Sequence, residues 1–508
     1  MDLEIIVRLG FTCFVLLFII FIMPINRWHF LKMEELQLSH HIVIIIAVLA
    51  TIAMSTIPMS LSPYWNGTLQ ELSDKQQYDR MGDALLEGHL YIDDGNIDRN
   101  LKEMDNPYDK LERERLGVQF NWDEAYYNGH YYMYFGVVPT IILFIPFKLL
   151  TGTALLSYQA TQVFAALTIV GLFFLFYMLC LKFFPKFPFS LYLLLSSSFS
   201  ILSVGYSIAA PALYCTAIVS GICMMVWCII FFFKGAWNSD INKIGNLNLF
   251  IGSLLGALAF GCRPPVALAN MLVVVVVYRI WNNKIFNKNE KIRTIILMLI
   301  PYFTVGALLM LYNYARFGNL FEFGQSYQLT LADQHNYRSF IERFNLEEIL
   351  VGLWLNMYAP CGLTDSFPFL RFNGVFINYP ILLLSSKLFS KRVKVLLKER
   401  KLYLLSVFTF LISCIIILFD VYWSPFLSKR YHLDFLYLLC ITTFLSIASW
   451  LELISQNKRK YLICFITLLA FYVFIAEFLF FCIPFDGNYI MHYPEKLNEI
   501  YKGLRFGL

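Results

Sequence analysis

The sequence has no paired-cysteine motif and no nucleotide-binding motif. Its 11 cysteines are spread singly, mostly within apolar runs, without a CxxC pair or a Cys/His grid. Neither GxGxxG nor GxxxxGKS/T occurs. No repeat with a period of about 20–50 residues stands out. These absences argue against a disulfide or zinc scaffold, against a soluble domain that binds ATP or a nucleotide-sugar, and against a repeat protein.

Charge is also scarce, and long apolar runs take its place. Only 15% of the 508 residues are charged and 58% are hydrophobic, whereas soluble domains are about half apolar. Runs such as GFTCFVLLFIIFIMPI approach the roughly 20 residues with which an α-helix crosses a bilayer. Acidic Asp2 and Glu4 precede this first run and no small-residue cleavage site follows it, so we expect a retained helix. The pattern predicts an all-α polytopic membrane protein.

The charged residues are distributed unevenly between the loops. Residues 279–293 carry five basic residues and one acid, residues 387–401 carry seven and one, and residues 458–460 read KRK. Basic loops face the cytoplasm by the positive-inside rule. Residues 61–136 hold 15 of the 35 acids against seven bases. We therefore place this polar segment outside the membrane.

One alternating arrangement of about 12 transmembrane helices (range 11–13) satisfies these constraints, with both termini outside. The spans are predicted near residues 5–25, 40–60, 155–181, 187–205, 209–233, 246–261, 265–282, 294–313, 373–387, 402–420, 431–450 and 461–482. The segment 134–150 is short, holds two prolines and begins with aromatic residues, which predicts a re-entrant or interfacial helix. If it spans instead, the N-terminal topology flips or another helix drops out.

These spans divide the chain into four parts. The first two transmembrane helices occupy residues 1–60. A large extracytoplasmic loop with amphipathic and re-entrant helices occupies residues 61–150. The transmembrane core occupies residues 151–482, and a short extracytoplasmic tail follows at residues 483–508.

The long polar segment contains a row of carboxylates. Asp79, Asp83 and Glu87 follow each other at intervals of four residues, and apolar residues alternate with them. One face of a helix would be acidic and the other apolar. Two interpretations stay open: an amphipathic helix lying on the outer leaflet, and a catalytic carboxylate on its polar face.

Aromatic residues and carboxylates come together in WDEAYYNGHYYMYFG, residues 122–136. Asp123, Glu124, Tyr126 and Tyr127 precede Asn-Gly, a strong turn signal. Such a site at a membrane surface suits a sugar, because aromatic rings stack on its apolar faces and acids bind its hydroxyls. The alternative is an aromatic belt at the interface beside a solvated aspartate.

Three further clusters arrive at the same predicted outer face. They lie in GCRPP, in YNYARFGNLFEFGQSYQLT and in FDVYWSPFLSKRYHLDF, and their ionisable residues include Arg263, Arg316, Asp420, Lys429, Arg430, His432 and Asp434. Ionisable residues at membrane depth are costly and are functional candidates. A guanidinium pairs two phosphate oxygens, so the arginines indicate a lipid phosphate or diphosphate. The alternative is snorkelling to lipid headgroups.

Metal binding has little support in the sequence. DDGNID, residues 93–98, is similar to the DxD motif of metal-dependent sugar transferases, but it lies in a turn-rich segment without further ligand residues. We expect no metal and no other cofactor, with a divalent ion as the open alternative. No nucleic-acid partner is expected.

The order of the motifs resembles that of polytopic bacterial glycosyltransferases of the GT-C class, particularly members from low-GC Gram-positive bacteria. The residues that carry it are YDRMGDALLEGHLYID, NPYDKLERERLGVQFNWDEAYYNGHYYMYFGVVP, GCRPP, RFGNLFEFGQSYQLT and SKRYHLDF. The resemblance covers about residues 40–450. It implies transfer of a sugar from a polyprenyl-phosphate carrier to a glycan or glycolipid acceptor, with inversion, on the outer face of the cytoplasmic membrane.

The resemblance also implies roles for residues. The general base is a carboxylate of the first outer loop, which is Asp79 or Asp123 here, with Asp83 next. Phosphate-binding roles fall on Arg263, Arg316 and Arg430. Further substrate contacts are expected from Glu124, Tyr126, Tyr127, Lys429 and His432.

Two other functions stay open. A transporter or flippase of a lipid-linked saccharide would also need basic residues and many helices, but it typically has paired repeats and charges within its spans. In this sequence the charges sit at the ends of the predicted spans. A non-catalytic scaffold of a polysaccharide assembly complex is the third candidate.

Overall fold

The computed structural model describes residues 3–23, 27–66, 76–93, 95–237, 245–330, 333, 335, 344–371, 374–424, 429–485 and 487–505. Within these ranges, ten helices are long and apolar enough to cross a membrane. This confirms the predicted fold class, an all-α polytopic membrane protein. In chain order the ten are α1 (Leu3–Ile22), α2 (Leu38–Ser60), α3 (Ser157–Phe183), α4 (Phe189–Ala209), α5 (Leu213–Ala236), α6 (Pro264–Trp281), α7 (Lys288–Phe317), α8 (Tyr403–Trp423), α9 (Lys429–Leu453) and α10 (Gln456–Phe481).

Two of the predicted spans correspond to shorter apolar helices. The span predicted near 246–261 is the helix Asn246–Phe260, and the one near 373–387 overlaps the 3-10 helix Pro380–Phe389. The first has 15 residues. At about 1.5 Å per residue it is roughly 22 Å long, which is less than the ~30 Å of the hydrocarbon core.

Helices α4, α5 and α9 form the centre of the bundle, and α1 lies at its edge. The spans of α4 and α5 are 89% buried and that of α9 is 83% buried, whereas α1 has no buried residue. Helix α4 packs against α3, α9 and α10, while α5 packs against α3 and the helix Asn246–Phe260. Small side chains let neighbouring backbones approach closely, and the buried serines of α4 are Ser190, Ser196, Ser198, Ser200, Ser203 and Ser207.

The polar segment before α3 folds into short helices and one hairpin. The helices are Gln77–Glu87, Arg99–Glu103 and Lys110–Leu116. Strands β1 (Ala125–Tyr127) and β2 (His130–Tyr132) pair antiparallel around Asn128-Gly129, which have φ angles of 49° and 79°. Positive φ at both central residues is what a tight hairpin turn requires, so the predicted Asn-Gly turn is confirmed.

The helix Gln77–Glu87 buries its apolar face against the protein. Tyr78 stacks on Phe144 with ring centroids 5.3 Å apart, and Gly82 faces Thr140 and Ile145. Residues 140–144 form a π-helical turn that continues into the α-helix Ile145–Thr151. The apolar residues that alternate with the carboxylates therefore cover this short apolar helix instead of being free to lie on a leaflet.

The remaining elements are short and connect or flank the long helices. A second hairpin joins strands β3 (Gly362–Leu363) and β4 (Leu370–Arg371). The other α-helices are Arg27–Phe30, Leu346–Met357, Val375–Asn378, Lys391–Glu399, Tyr489–His492 and Pro494–Leu504. Short 3-10 helices occupy Met33–Glu35 and Gln325–Tyr327.

Candidate functional site

A cavity of about 650 Å³ lies at one end of the bundle, where residues 122–137 meet the ends of α5 to α9. Its lining includes Asp123, Arg263, Arg316 and Arg430. Arg263 directly precedes α6, Arg316 lies in the last turn of α7, and Arg430 lies in the first turn of α9. The fold thus brings together one predicted base and the three predicted phosphate-binding arginines.

Asp123 is held in the cavity wall by hydrogen bonds on both sides of its carboxylate. Gln328 Nε2 donates to Oδ1 at 2.9 Å, and the Tyr214 hydroxyl donates to Oδ2. The backbone of Asp123 has a φ of 59°, an unfavourable value for a non-glycine residue, and its N–H donates to the carbonyl of Leu329 at 3.1 Å. Burial raises the pKa of Asp123, and the bond from Tyr214 and the charge of Arg430 oppose that rise. A buried carboxylate with a raised pKa in a cavity is typical of a general base.

Glu124 anchors the same segment from the other side. Its side chain is fully buried, and Oε1 accepts a hydrogen bond from Arg80 Nη1 at 2.6 Å while Oε2 accepts one from Asn121 at 3.0 Å. Its carbonyl accepts from the N–H of Leu329 at 3.0 Å. Asp123 lines the cavity and Glu124 does not, so Glu124 fixes the backbone that carries Asp123.

Close backbone packing brings Arg263 to the cavity. A Cβ atom on Gly136 would lie 2.1 Å from the carbonyl oxygen of Gly261, so only glycine fits there. The N–H of Val138 donates to that same oxygen at 3.0 Å. The GCRPP turn is thereby held against the segment that contains Asp123.

Arg263 is already paired with a buried carboxylate. Its Nη2 and Nε atoms lie 3.0 and 3.4 Å from the two carboxylate oxygens of Asp434, which is fully buried. Asp420 lines the cavity beside this pair, and its Oδ2 atom is buried with no hydrogen-bond partner among the described residues. Buried polar atoms normally have partners. Asp420 is therefore a second carboxylate of the cavity with capacity to bind a ligand.

Arg316 and Arg430 differ from Arg263 in forming no salt bridge within the described part of the chain. Arg316 donates from Nη1 to the carbonyl of Met133 at 2.7 Å and lies over the ring of Tyr312. Arg430 stacks on the ring of Tyr214, with its guanidinium carbon 4.0 Å from the ring centroid. Neither side chain is therefore paired directly with a described carboxylate, and both face the cavity.

Asp79 and Asp83 do not line this cavity. Both pair with Lys148 of the short apolar helix: its Nζ lies 3.4 Å from Asp79 Oδ2 and also contacts Asp83 Oδ1. Burial raises the pKa of Asp79, and the charge of Lys148 opposes that rise. These two ion pairs join the helix Gln77–Glu87 to the helix Ile145–Thr151.

Tyr126 and Tyr127 also lie away from the cavity lining. The carbonyl of Tyr126 accepts a hydrogen bond from the Tyr108 hydroxyl at 2.8 Å. The ring of Tyr127 packs against Tyr327 with centroids 4.5 Å apart. Tyr126 and Tyr127 therefore belong to the packing behind the cavity wall.

The first residues of α9, Lys429–His432, form a 3-10 turn, and Lys429 and His432 lie on the opposite face of this turn from Arg430. Both line a separate small pocket that also contains Glu477. His432 Nε2 lies 3.0 Å from Asn356 Oδ1, and Glu477 Oε1 accepts a hydrogen bond from Tyr379 at 2.6 Å. Residues three apart share a face of a 3-10 helix. This explains why Lys429 and His432 both line the small pocket and not the cavity.

The structure adds two residues that were not singled out in the sequence. Tyr214 and Gln328 both bind Asp123. Tyr214 stands at the start of an apolar helix, as many of the 31 tyrosines do near span ends, so nothing in its local sequence distinguishes it. Asp420 was named in the sequence as an ionisable residue at the end of an apolar run, and the structure places it in the cavity lining.

The described residues contain no group of three His, Cys, Asp or Glu side chains placed to hold a metal ion. Within DDGNID, Asp93 accepts a hydrogen bond from the N–H of Tyr131 at 2.8 Å, and Asp98 caps the helix Arg99–Glu103. Asp94 lies outside the described residues.

Comparison with protein-family models, with curated proteins and with solved structures found no match to the chain.

Proposed function

We propose that this chain is an inverting membrane glycosyltransferase that moves a sugar from a polyprenyl-phosphate donor to a cell-surface glycan acceptor. One observation carries the proposal: a single cavity holds Asp123 together with Arg263, Arg316 and Arg430, which come from four distant parts of the chain. A carboxylate base and cations for a phosphate leaving group are the two requirements of this reaction.

Asp123 is the general base in this account. Its carboxylate removes the proton of the acceptor hydroxyl as that oxygen attacks the anomeric carbon. The bond between the anomeric carbon and the phosphate oxygen breaks, and its electron pair leaves with the polyprenyl phosphate. Arg316 and Arg430 stabilise the charge that develops on the phosphate, because neither is held in a salt bridge with a described carboxylate.

The size and the walls of the cavity suit such a donor. Its volume of about 650 Å³ is within the range of roughly 300–1,000 Å³ that is usual for ligand sites. Phe260, Phe419 and Trp423 line it and are also 36–42% exposed at the bundle surface. These apolar side chains offer the prenyl chain a route from the membrane to the cavity.

The helix directions support an extracytoplasmic site. The cavity lies at the start of α6 and the end of α7, whereas the basic residues 279–293 join the opposite ends of these two helices. Basic loops face the cytoplasm. The proposed location is therefore the cytoplasmic membrane of a bacterium, with the active site on its outer face.

Deleting the gene in its native host and analysing purified surface glycans by composition and linkage tests the proposal. We expect one sugar substituent to disappear while the underlying polymer remains, and the wild-type gene to restore it. A polymer missing from the surface while its lipid-linked precursor accumulates inside would indicate a transporter instead. An unchanged glycan would contradict the proposal.

A biochemical assay follows from the same strain. Membranes of the deletion strain, supplied with the full-length protein and with polyprenyl-phosphate sugars extracted from the host, should release polyprenyl phosphate. This transfer assay is the readout of the activity predictions below.

A further inference from the structure

A second cavity, of about 230 Å³, lies at the other end of the bundle. It sits where α4 and α10 begin, whereas the first cavity lies beside the beginnings of α5 and α9, which run in the opposite direction. Four basic side chains line it: Lys32, Lys186, Arg459 and Lys460. No Asp or Glu occurs among its described lining residues.

The cavity walls are fixed by backbone and side-chain hydrogen bonds. The N–H of Met33 donates to the carbonyl of Phe187 at 3.1 Å, and the N–H of Phe189 donates to the carbonyl of Leu31 at 2.9 Å. The buried ring of His29 lies 2.7 Å from both Ser190 Oγ and the carbonyl of Phe21. A site built in this way requires little ordering when a ligand binds.

Most of the positive charge in this cavity is uncompensated. Lys32 pairs with Glu35 at 2.9 Å, just outside the lining. Lys186, Arg459 and Lys460 form no salt bridge in the described ranges. Arg459 uses Nη2 to donate to the carbonyl of Lys186 at 2.7 Å, which holds its guanidinium in place beside the lysine. Clustered cations in a concave site attract an anion.

One side of the cavity is apolar and exposed at the surface of the bundle. Phe30, which lines it, is 67% exposed, and Leu16 and Leu17 on the adjoining α1 are more than half exposed. A ligand with both an anionic head and apolar chains satisfies both surfaces. Basic pockets between transmembrane helices on the cytoplasmic side are suited to anionic lipid headgroups.

We propose that this cavity binds the phosphate headgroup of an anionic phospholipid, with the acyl chains lying along α1 beside Phe30. The site is independent of the glycosyltransferase proposal, because it shares no residue with the first cavity. Its ligand belongs to the bilayer and is not consumed.

Lipid titration of the purified full-length protein tests this site. The protein is delipidated in detergent, titrated with phosphatidylglycerol or phosphatidylcholine, and followed by its thermal unfolding temperature. The test variant is Lys186→Gln with Lys460→Gln, because both side chains are exposed and the Arg459 hydrogen bond is kept. The matched control is Lys284→Gln with Lys288→Gln, which removes the same charge from two exposed positions outside the cavity.

We expect phosphatidylglycerol to stabilise the wild type more than phosphatidylcholine does. The test variant should bind phosphatidylglycerol roughly 10- to 30-fold more weakly, since each cation contributes to headgroup attraction, and the control should bind like the wild type. Equal weakening in both variants, or none in the test variant, would overturn the proposal. A separate arm adds inorganic phosphate: competition at concentrations matching those of the lipid would identify a free anion as the ligand and overturn the assignment to phospholipid.

Discussion

The hydroxyl of Tyr214 donates a hydrogen bond to the carboxylate of Asp123. The two residues are 91 positions apart in the chain. The guanidinium of Arg430 stacks on the ring of Tyr214. This contact joins the polar segment before α3 to the first turn of α5. It controls the proton affinity of the proposed base, because a hydrogen bond to a carboxylate favours its charged form.

Tyr214→Phe should shift the pH dependence of transfer. The hydroxyl lowers the pKa of Asp123, against the rise that burial causes. Without it, the pKa rises further and Asp123 stays protonated to a higher pH. The acidic limb of the transfer rate should therefore move up by roughly one pH unit. A limb that stays in place in the variant would argue against Asp123 as the group that titrates.

Arg430→Gln should slow transfer strongly without unfolding the protein. Arg430 forms no direct salt bridge with a described residue, and Asp123 keeps its hydrogen bonds from Gln328 and Tyr214 in the variant. Removing one group that stabilises transition-state charge typically costs about 10²- to 10³-fold in rate. The transfer assay measures this, Arg430→Lys tests whether charge alone suffices, and a wild-type rate in Arg430→Gln would exclude the proposed role.

Arg263→Gln, unlike Arg430→Gln, should destabilise the protein, because it leaves the fully buried carboxylate of Asp434 without its cationic partner. Breaking a buried pair in this way costs about 3–5 kcal/mol of stability. We expect a lower unfolding temperature and less protein in the membrane. The double variant Arg263→Met with Asp434→Leu should regain stability; failure of the double variant to do so would contradict this reading of the pair.

Asp420→Asn should impair transfer while keeping the fold. In the proposed function its unpartnered Oδ2 accepts a sugar hydroxyl. A typical hydrogen bond is worth about 0.5–1.5 kcal/mol, so kcat/KM in the transfer assay should fall roughly 2- to 10-fold. Ser413→Ala, a buried change on the same helix α8, is the control. Equal activity of the two variants would contradict the proposal that Asp420 binds the sugar.

Glu124→Gln should destabilise the cavity wall. The pair with Arg80 has a fully buried carboxylate, whereas the pair Arg99–Glu103 in the same segment is 87% and 60% exposed. We expect Glu124→Gln to cost about 1–3 kcal/mol and Glu103→Gln to cost close to nothing. Thermal unfolding of the two variants in one detergent compares them, and similar midpoints would refute the anchoring role of Glu124.

Features of the fold that depend on neighbours in sequence were predictable. The long helices follow from apolar runs of bilayer length, and the hairpin follows from Asn128-Gly129. The lengths of the helices Asn246–Phe260 and Pro380–Phe389 were harder to predict, because an apolar run alone does not determine where a helix ends.

The candidate site depends on contacts that local sequence does not encode. Asp79 and Asp123 are both carboxylates of the same polar segment, and distant partners distinguish them: Gln328, 205 positions from Asp123, binds Asp123, whereas Lys148 pairs with Asp79. Arg430 and His432 are two positions apart, yet the 3-10 turn directs them to different pockets. The chemistry was predicted as a set of residue types, while their grouping required the structure.

The most direct test of the central claim compares Asp123→Asn with Asp79→Asn. Each variant is expressed in the deletion strain at wild-type membrane levels, and the surface glycan is analysed for the missing sugar. Because Asp123 lines the cavity and Asp79 pairs with Lys148 outside it, we predict that Asp79→Asn restores the sugar and Asp123→Asn does not. Restoration of the sugar by Asp123→Asn would contradict the account.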